Sequence, residues 1–95
     1  MDKLNDQQRD AALEKLDDWQ ARGDAITRTF HLRDFSRAID FVNAVAEMAE
    51  DVHHHPDIDV RYNKVTITLT THSAGGLTRS DIELAAGIDD IADAA

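Results

Sequence analysis

Residues 58–70 alternate between apolar and polar side chains on both sides of a short polar break, and this pattern constrains the fold more than any other. A period of two is typical of strands that bury one face. A two-residue break that begins with asparagine suits a tight hairpin turn. The pattern predicts a β-hairpin with Asn63-Lys64 as its turn and an apolar face formed by Ile58, Val60, Tyr62, Val65, Ile67 and Leu69.

The rest of the chain predicts three helices and a further strand. Helical spacing of apolar residues covers residues 6–18, a long segment from an N-cap at Asp34 to about residue 50 or 52, and residues 78–94. The last helix begins with Thr78-x-x-Asp81, which is close to a capping box. Residues 25–32 alternate as a strand does. This order indicates an α+β fold with an antiparallel sheet covered on one face, in a single domain spanning residues 1–95.

The charge balance and the lack of cysteine exclude several classes of protein. The chain has 10 basic and 19 acidic side chains, a formal net charge of −9. Such a charge repels phosphate backbones and anionic lipid, so no nucleic-acid or membrane partner is expected. Without cysteine there are no disulfides, thiolate metal sites or cysteine nucleophiles. No signal-peptide or membrane-spanning pattern is present, so we expect a cytoplasmic protein.

The most unusual segment is a run of three histidines, residues 53–55, that leads into Pro56. If Asn63-Lys64 is the hairpin turn, Tyr62 pairs with Val65 and His72 lies opposite His55. Because Pro56 interrupts regular pairing, we predict only that His54 and His55 lie near His72.

Carboxylates and neutral imidazoles in one pocket favour proton transfer. Glu50 lies four residues before His54, and Asp81 lies in the first turn of the last helix, so we expect that both carboxylates can reach this pocket. Imidazoles exchange protons near neutral pH, which suits an elimination, hydration or isomerisation. A solvated histidine loop and a zinc site remain alternatives, although adjacent histidines diverge and no zinc-ligand spacing occurs on one helix. A serine triad is weaker, because no nucleophile elbow is present.

These residues resemble a known family, the pterin-4a-carbinolamine dehydratases, over about residues 24–92. The resemblance is carried by Glu50-x-x-x-His54-His55-Pro56, Tyr62-Asn63-Lys64-Val65, Thr71-His72, Gly76-Leu77-Thr78 and Asp81, and by the segments around residues 30–35 and 38–50. It implies a four-stranded antiparallel sheet with three helices packed on one face, once a short strand near Trp19 is allowed. It also implies homodimers formed by sheet extension, or homotetramers formed through the long helix.

The activity implied by this resemblance is dehydration of 4a-hydroxytetrahydropterin to quinonoid dihydropterin, with neither cofactor nor metal. That reaction recycles the pterin of aromatic amino acid hydroxylases, which are possible pathway partners. By position, His54 and His72 resemble the acid/base histidines, and His55 the histidine that holds the pterin. Glu50 and Asp81 resemble supporting carboxylates, while the pocket lining corresponds to Pro56, Thr71, Ser73 and Ala74. His53 lies outside the family pattern and is expected at the surface.

A second function of a different class stays open. Some members of the family bind a homeodomain transcription factor as a dimerisation cofactor through the long helix, which would make this chain a protein-binding adaptor. The acidic charge and the absence of a basic cluster favour the enzyme.

Overall fold

Seven regular elements and one short turn of 3-10 helix are present in residues 2–95, the part of the chain that the computed structural model describes. In chain order they are α1 (Asp6–Leu13), β1 (Gln20–Arg22), β2 (Ala25–His31), α2 (Phe35–Val52), β3 (Asp57–Arg61), β4 (Lys64–Leu69), the 3-10 turn (His72–Ala74) and α3 (Arg79–Ala94).

The four strands form one antiparallel sheet in the order β1-β2-β4-β3. This confirms the predicted α+β class, and β1 is the short strand expected near Trp19. The apolar side chains of β2 and β4 that point to the helices are buried with apolar residues of α2 and α3. The core therefore lies between one face of the sheet and the helices. Within residues 2–95, no helix has the length and apolar character needed to cross a bilayer.

The turn of the β3–β4 hairpin differs from the prediction by one residue. The strands pair as Arg61↔Lys64 and Val60↔Val65, so the turn is Tyr62-Asn63 rather than Asn63-Lys64. Asn63 is held by the end of β2, since its carbonyl accepts from the Leu32 N–H at 2.8 Å and its amide donates to the Leu32 carbonyl at 2.9 Å. Tyr62 turns the chain with a φ of 53°.

The first helix is shorter than predicted, because α1 ends at Leu13 and not near residue 18. The chain leaves the helix through bonds of the i→i−3 type, from Lys15 N–H to the Ala12 carbonyl and from Leu16 N–H to the Leu13 carbonyl. This turn lets Leu16 and Trp19 enter the core, where they are 6% and 3% exposed. Burial of these two side chains outweighs continuation of the helix.

The long helix α2 matches its prediction at both ends. Asp34 is the N-cap, and its side chain accepts from the Arg37 N–H at 2.8 Å. Ala38, Phe41, Val45 and Ala49 form its buried stripe at helical spacing. The helix thus runs across the sheet with one face in the core, and its last turn delivers the histidine run.

Arg28 is a charged residue on the face of β2 that points to the helices. Its guanidinium lies 2.6 Å from Asp89 of α3 and 4.2 Å from the centre of the Phe30 ring. The indole N–H of Trp19 donates to the same Asp89 carboxylate at 2.9 Å. This pairing satisfies a cation among apolar neighbours and joins β2 to α3.

Candidate active site

The first of the three consecutive histidines ends α2 in a left-handed conformation, and the two that follow point in different directions. His53 has a φ of 54° and is the C-cap residue. The His54 N–H donates to the Ala49 carbonyl at 3.1 Å, and the His53 N–H to the Glu50 carbonyl at 3.3 Å, which is the Schellman pattern. The turn directs His54 inward, with a side chain 17% exposed, and leaves His55 at 62%.

His54 is hydrogen-bonded to Asp81 at the start of α3. Its Nε2 lies 2.5 Å from Asp81 Oδ1, and the Asp81 side chain is completely buried. A buried carboxylate bonded to one ring nitrogen orients an imidazole. The structure therefore brings two predicted site residues together as an imidazole–carboxylate pair.

Two further donors reach the other oxygen of Asp81. Oδ2 accepts from the Thr71 hydroxyl at 2.8 Å and from the Thr78 N–H at 2.9 Å. The Thr71 and Thr78 hydroxyls also lie 2.9 Å apart. Thr78 and Asp81 form the predicted capping box. Together these contacts satisfy a buried charge that would otherwise be costly.

Glu50 contacts His55 rather than His54, so the two predicted carboxylates bond to different histidines of the predicted site. Its Oε2 is hydrogen-bonded to His55 Nε2, and both side chains are mostly exposed. The hydrogen bond and charge of His55 lower the pKa of Glu50 below its ordinary value, desolvation opposes this shift, and the charge of His53, the weakest cause, lowers the pKa further. The site thus has one buried imidazole–carboxylate pair and one exposed pair.

The exposed pair of Glu50 and His55 leads to a prediction about the pKa of the Glu50 carboxyl. We expect the Glu50 carboxyl to titrate below the ordinary glutamate range, and the His55→Ala variant to move its pKa back up, as measured by carbon-13 NMR. Because the pKa of Glu50 is lower in the folded protein than in the unfolded chain, this pair stabilises the fold at pH values above the unfolded pKa. That stabilisation is lost as the pH falls through the folded pKa. His53→Asn serves as the control, with a smaller shift, since His53 is the weakest cause. An equal or larger shift in that control would contradict the assignment.

His72 is positioned by the 3-10 turn and not by the hairpin ladder. The β3–β4 pairing ends at Asp57↔Thr68, so the ladder does not extend to His55 and His72, and their proximity stays a prediction. Instead, Thr71 pairs with Gly76 as an isolated bridge, and the turn closes by a bond from the Gly75 N–H to the His72 carbonyl at 3.1 Å. His72 is exposed and directly follows Thr71, whose hydroxyl is bonded to Asp81.

The remaining predicted residues flank these contacts. Pro56 follows the histidine run and is half-buried, while Ser73 and Ala74 lie in the 3-10 turn beside His72. Sequence reasoning assigned Thr78 only to helix capping and missed its second bond to Thr71. Its spacing of three residues from Asp81 predicts the bond from the Thr78 N–H to that carboxylate but carries no signal for the contact with Thr71.

His54 and His55 contact different carboxylates, so their side chains diverge as predicted. In the described residues, 2–95, no three histidine, aspartate or glutamate side chains form a group that could hold a metal ion.

Comparisons with a family model and with a related protein agree on one family. Residues 2–91 match the family model described as pterin 4 alpha carbinolamine dehydratase. A protein of Nocardia farcinica named for pterin-4-alpha-carbinolamine dehydratase is 54% identical over 89 residues, which cover 94% of each chain.

Two solved structures share the fold. The crystal structure of a transcriptional coactivator/pterin dehydratase from Brucella melitensis superposes with a TM-score of 0.93 at 41% identity, covering 96% of this chain and 99% of that one. A pterin dehydratase-like protein, identified as a RuBisCO assembly factor in the alpha-carboxysome, has a TM-score of 0.65 at 24% identity and covers 78% of this chain and 86% of its own. The second likeness shows the fold alone.

Proposed function

The chain belongs to the pterin 4 alpha carbinolamine dehydratase family, and from that premise we propose that it dehydrates 4a-hydroxytetrahydropterin by acid/base chemistry at His54 and His72. The observation that carries the proposal is the bond between His54 and the buried Asp81. An imidazole held by a buried carboxylate is suited to accept and return a proton.

The reaction balances with two proton transfers. The C4a–O bond breaks as the hydroxyl leaves with an added proton as water, and N5 loses its proton as a carbon–nitrogen double bond forms. One group must donate to the leaving oxygen and another must accept from N5. Two imidazoles return to their starting protonation after a proton passes between them through solvent.

The structure supports different roles for the three histidines. His54 is held by a hydrogen bond to the buried Asp81 carboxylate, and His72 lies on an exposed turn one residue beyond Thr71. His55 is exposed and paired with Glu50, which suits contact with the polar rim of a pterin rather than a desolvated proton transfer. Pro56 and the backbone of residues 71–74 would complete the pocket.

The deciding experiment is dehydration of 4a-hydroxytetrahydropterin by the purified protein, followed by stopped-flow absorbance and corrected for the spontaneous reaction. We expect acceleration in proportion to protein concentration. The matched control is the double variant His54→Ala/His72→Ala at equal concentration, which should return the rate to near background. Equal rates for the wild-type protein and the double variant would overturn the proposal.

No metal is expected to take part in this reaction. His54 and His55 engage separate carboxylates, and proton transfer needs no Lewis acid. We predict unchanged kcat and KM after dialysis against a chelator. Stoichiometric zinc in the purified protein together with activity lost to the chelator, and restored by zinc, would contradict this prediction.

An adaptor function is the second candidate, and the Brucella melitensis relative is described as a transcriptional coactivator as well as a pterin dehydratase. Large apolar side chains at the two ends of α2 are available for contact, with Phe35 51% and Val52 56% exposed. We propose the enzyme as the main role, recycling the pterin of aromatic amino acid hydroxylases in the cytoplasm.

Assembly separates these two candidates. A domain of this size buries little surface alone, so we predict a homodimer or homotetramer at micromolar concentration, measured by light scattering. A tetramer that does not exchange subunits favours the enzyme alone, whereas a dimer that exchanges subunits keeps the adaptor function open. A monomer mass across the whole range would contradict the prediction.

A further inference from the structure

We propose that Thr71 and Thr78 are positioning residues that lock Asp81 as the acceptor for His54 Nε2, so that Nδ1 is the ring atom left to exchange protons. That Nδ1 exchanges them with a pterin rests on the proposed function. The locking itself is a property of the resting protein and is open to measurement without substrate.

The direction of the hydrogen bonds follows from counting protons. The Thr78 N–H at 2.9 Å from Asp81 Oδ2 can only donate. The Thr71 hydroxyl has one proton, which goes to the same Oδ2 at 2.8 Å. Thr78 must then supply the proton of the 2.9 Å contact between the two hydroxyls. The chain of donors runs from Thr78 to Thr71 to Asp81.

These donors fix which atom of Asp81 faces the imidazole. Thr78 is completely buried, as is Asp81, so solvent does not compete for these bonds. The two oxygens of a carboxylate are equivalent, so rotation of the Asp81 carboxyl group would exchange them and restore the same bonds. Whichever oxygen accepts from Thr71 and Thr78, the other faces the imidazole. As a carboxylate, Oδ1 can only accept, so His54 Nε2 carries the proton at the 2.5 Å contact. The neutral ring then has its free electron pair on Nδ1.

An amide in place of the carboxyl would test the lock, because its two ends differ. In an Asp81→Asn variant, the donors from Thr71 and Thr78 require the amide oxygen at the Oδ2 position. The amide NH2 would then face His54 and donate to Nε2, which forces the proton onto Nδ1. The same exchange of aspartate for asparagine costs about 10⁴-fold in kcat in a serine protease triad, through the wrong tautomer.

The experiment is nitrogen-15 NMR of histidine-labelled protein without substrate, in wild-type, Asp81→Asn and Asp81→Asn/Thr71→Val chains. We expect Nε2 of His54 to be protonated in the wild type and Nδ1 in Asp81→Asn. Loss of the Thr71 hydroxyl should weaken this reversal, giving mixed tautomers. A protonated Nε2 in folded Asp81→Asn would mean that the amide oxygen faces the ring, and would overturn the proposal.

A second pair of variants keeps the proposal testable if Asp81→Asn does not fold. Thr71→Val removes the hydroxyl but keeps the shape, and Thr71→Ser keeps the hydroxyl. We expect Thr71→Val to lower kcat roughly tenfold with KM within about twofold, the lower end for an orienting partner. Thr71→Ser keeps the hydroxyl bond to Asp81, so it should lower kcat less than Thr71→Val does. Equal kcat in the two variants would overturn the positioning role. Absence of dehydratase activity in the wild-type protein, with the tautomer reversal observed, would remove the proposed function but not the lock.

Discussion

His54→Ala is expected to lower kcat by roughly 10²- to 10⁴-fold, the usual contribution of a positioned acid or base. The variant removes the imidazole and leaves Asp81 as a buried carboxylate without its histidine partner. His72→Ala should cause a loss in the same range, because one of two proton transfers is left to water. Both rates are measured by stopped flow after correction for spontaneous dehydration.

The neighbouring histidines are the controls for this prediction. His55→Ala should raise KM more than it lowers kcat, as expected when a ground-state contact is removed. His53→Asn should leave both constants within about threefold, since His53 is exposed and asparagine tolerates its left-handed backbone. A loss of kcat in His53→Asn as large as that in His54→Ala would show that the roles are assigned to the wrong residues of the histidine run.

Phe41→Ala is expected to destabilise the fold by about 3–5 kcal/mol, the typical cost of removing a buried phenylalanine. Phe41 is 2% exposed, and its ring centre lies 4.8 Å from that of Phe30. The variant leaves a cavity between α2 and the sheet. Chemical denaturation followed by circular dichroism measures the loss, which is a large part of the total stability of about 5–15 kcal/mol typical of a domain.

Phe35→Ala is the matched variant on the same helix. Phe35 is 51% exposed, so the expected loss is at most about 0.5 kcal/mol within one protomer. A larger loss that grows with protein concentration would locate Phe35 in contact with another copy. An equal and concentration-independent loss in both variants would contradict the assignment of Phe41 to the core.

Hydropathy alternation predicts which side of a strand is buried, but it does not determine which residues lie opposite one another. Moving the turn from Asn63-Lys64 to Tyr62-Asn63 shifts the pairing by two residues, and an even shift leaves the side chains within the strands on their predicted faces. Tyr62 is the exception, because it leaves the predicted apolar face for the turn and is 70% exposed. Within the strands the faces were therefore correct while the register was wrong. The bonds between Asn63 and Leu32 that decide the turn link distant segments and have no local signature.

The same distinction applies to the candidate site. Residue types and spacing predict that His54, His72 and Asp81 belong to one region, but they do not predict which carboxylate bonds which imidazole. That outcome depends on the left-handed conformation of His53, which turns His54 towards α3 and leaves His55 beside Glu50. A histidine in this conformation carries no sequence signal as clear as a glycine would.

The order of the strands also has a consequence for the folding rate. Each outer strand pairs with its neighbour in sequence. The central pair joins β2 to β4, with Ile26 opposite Leu69, and all of α2 lies between these two strands along the chain. Closing such a long loop costs entropy before any contact compensates for it. We expect the two hairpins to form early and their docking through β2 and β4 to limit the rate, so that variants of Ile26 and Leu69 slow refolding more than variants in the β3–β4 turn.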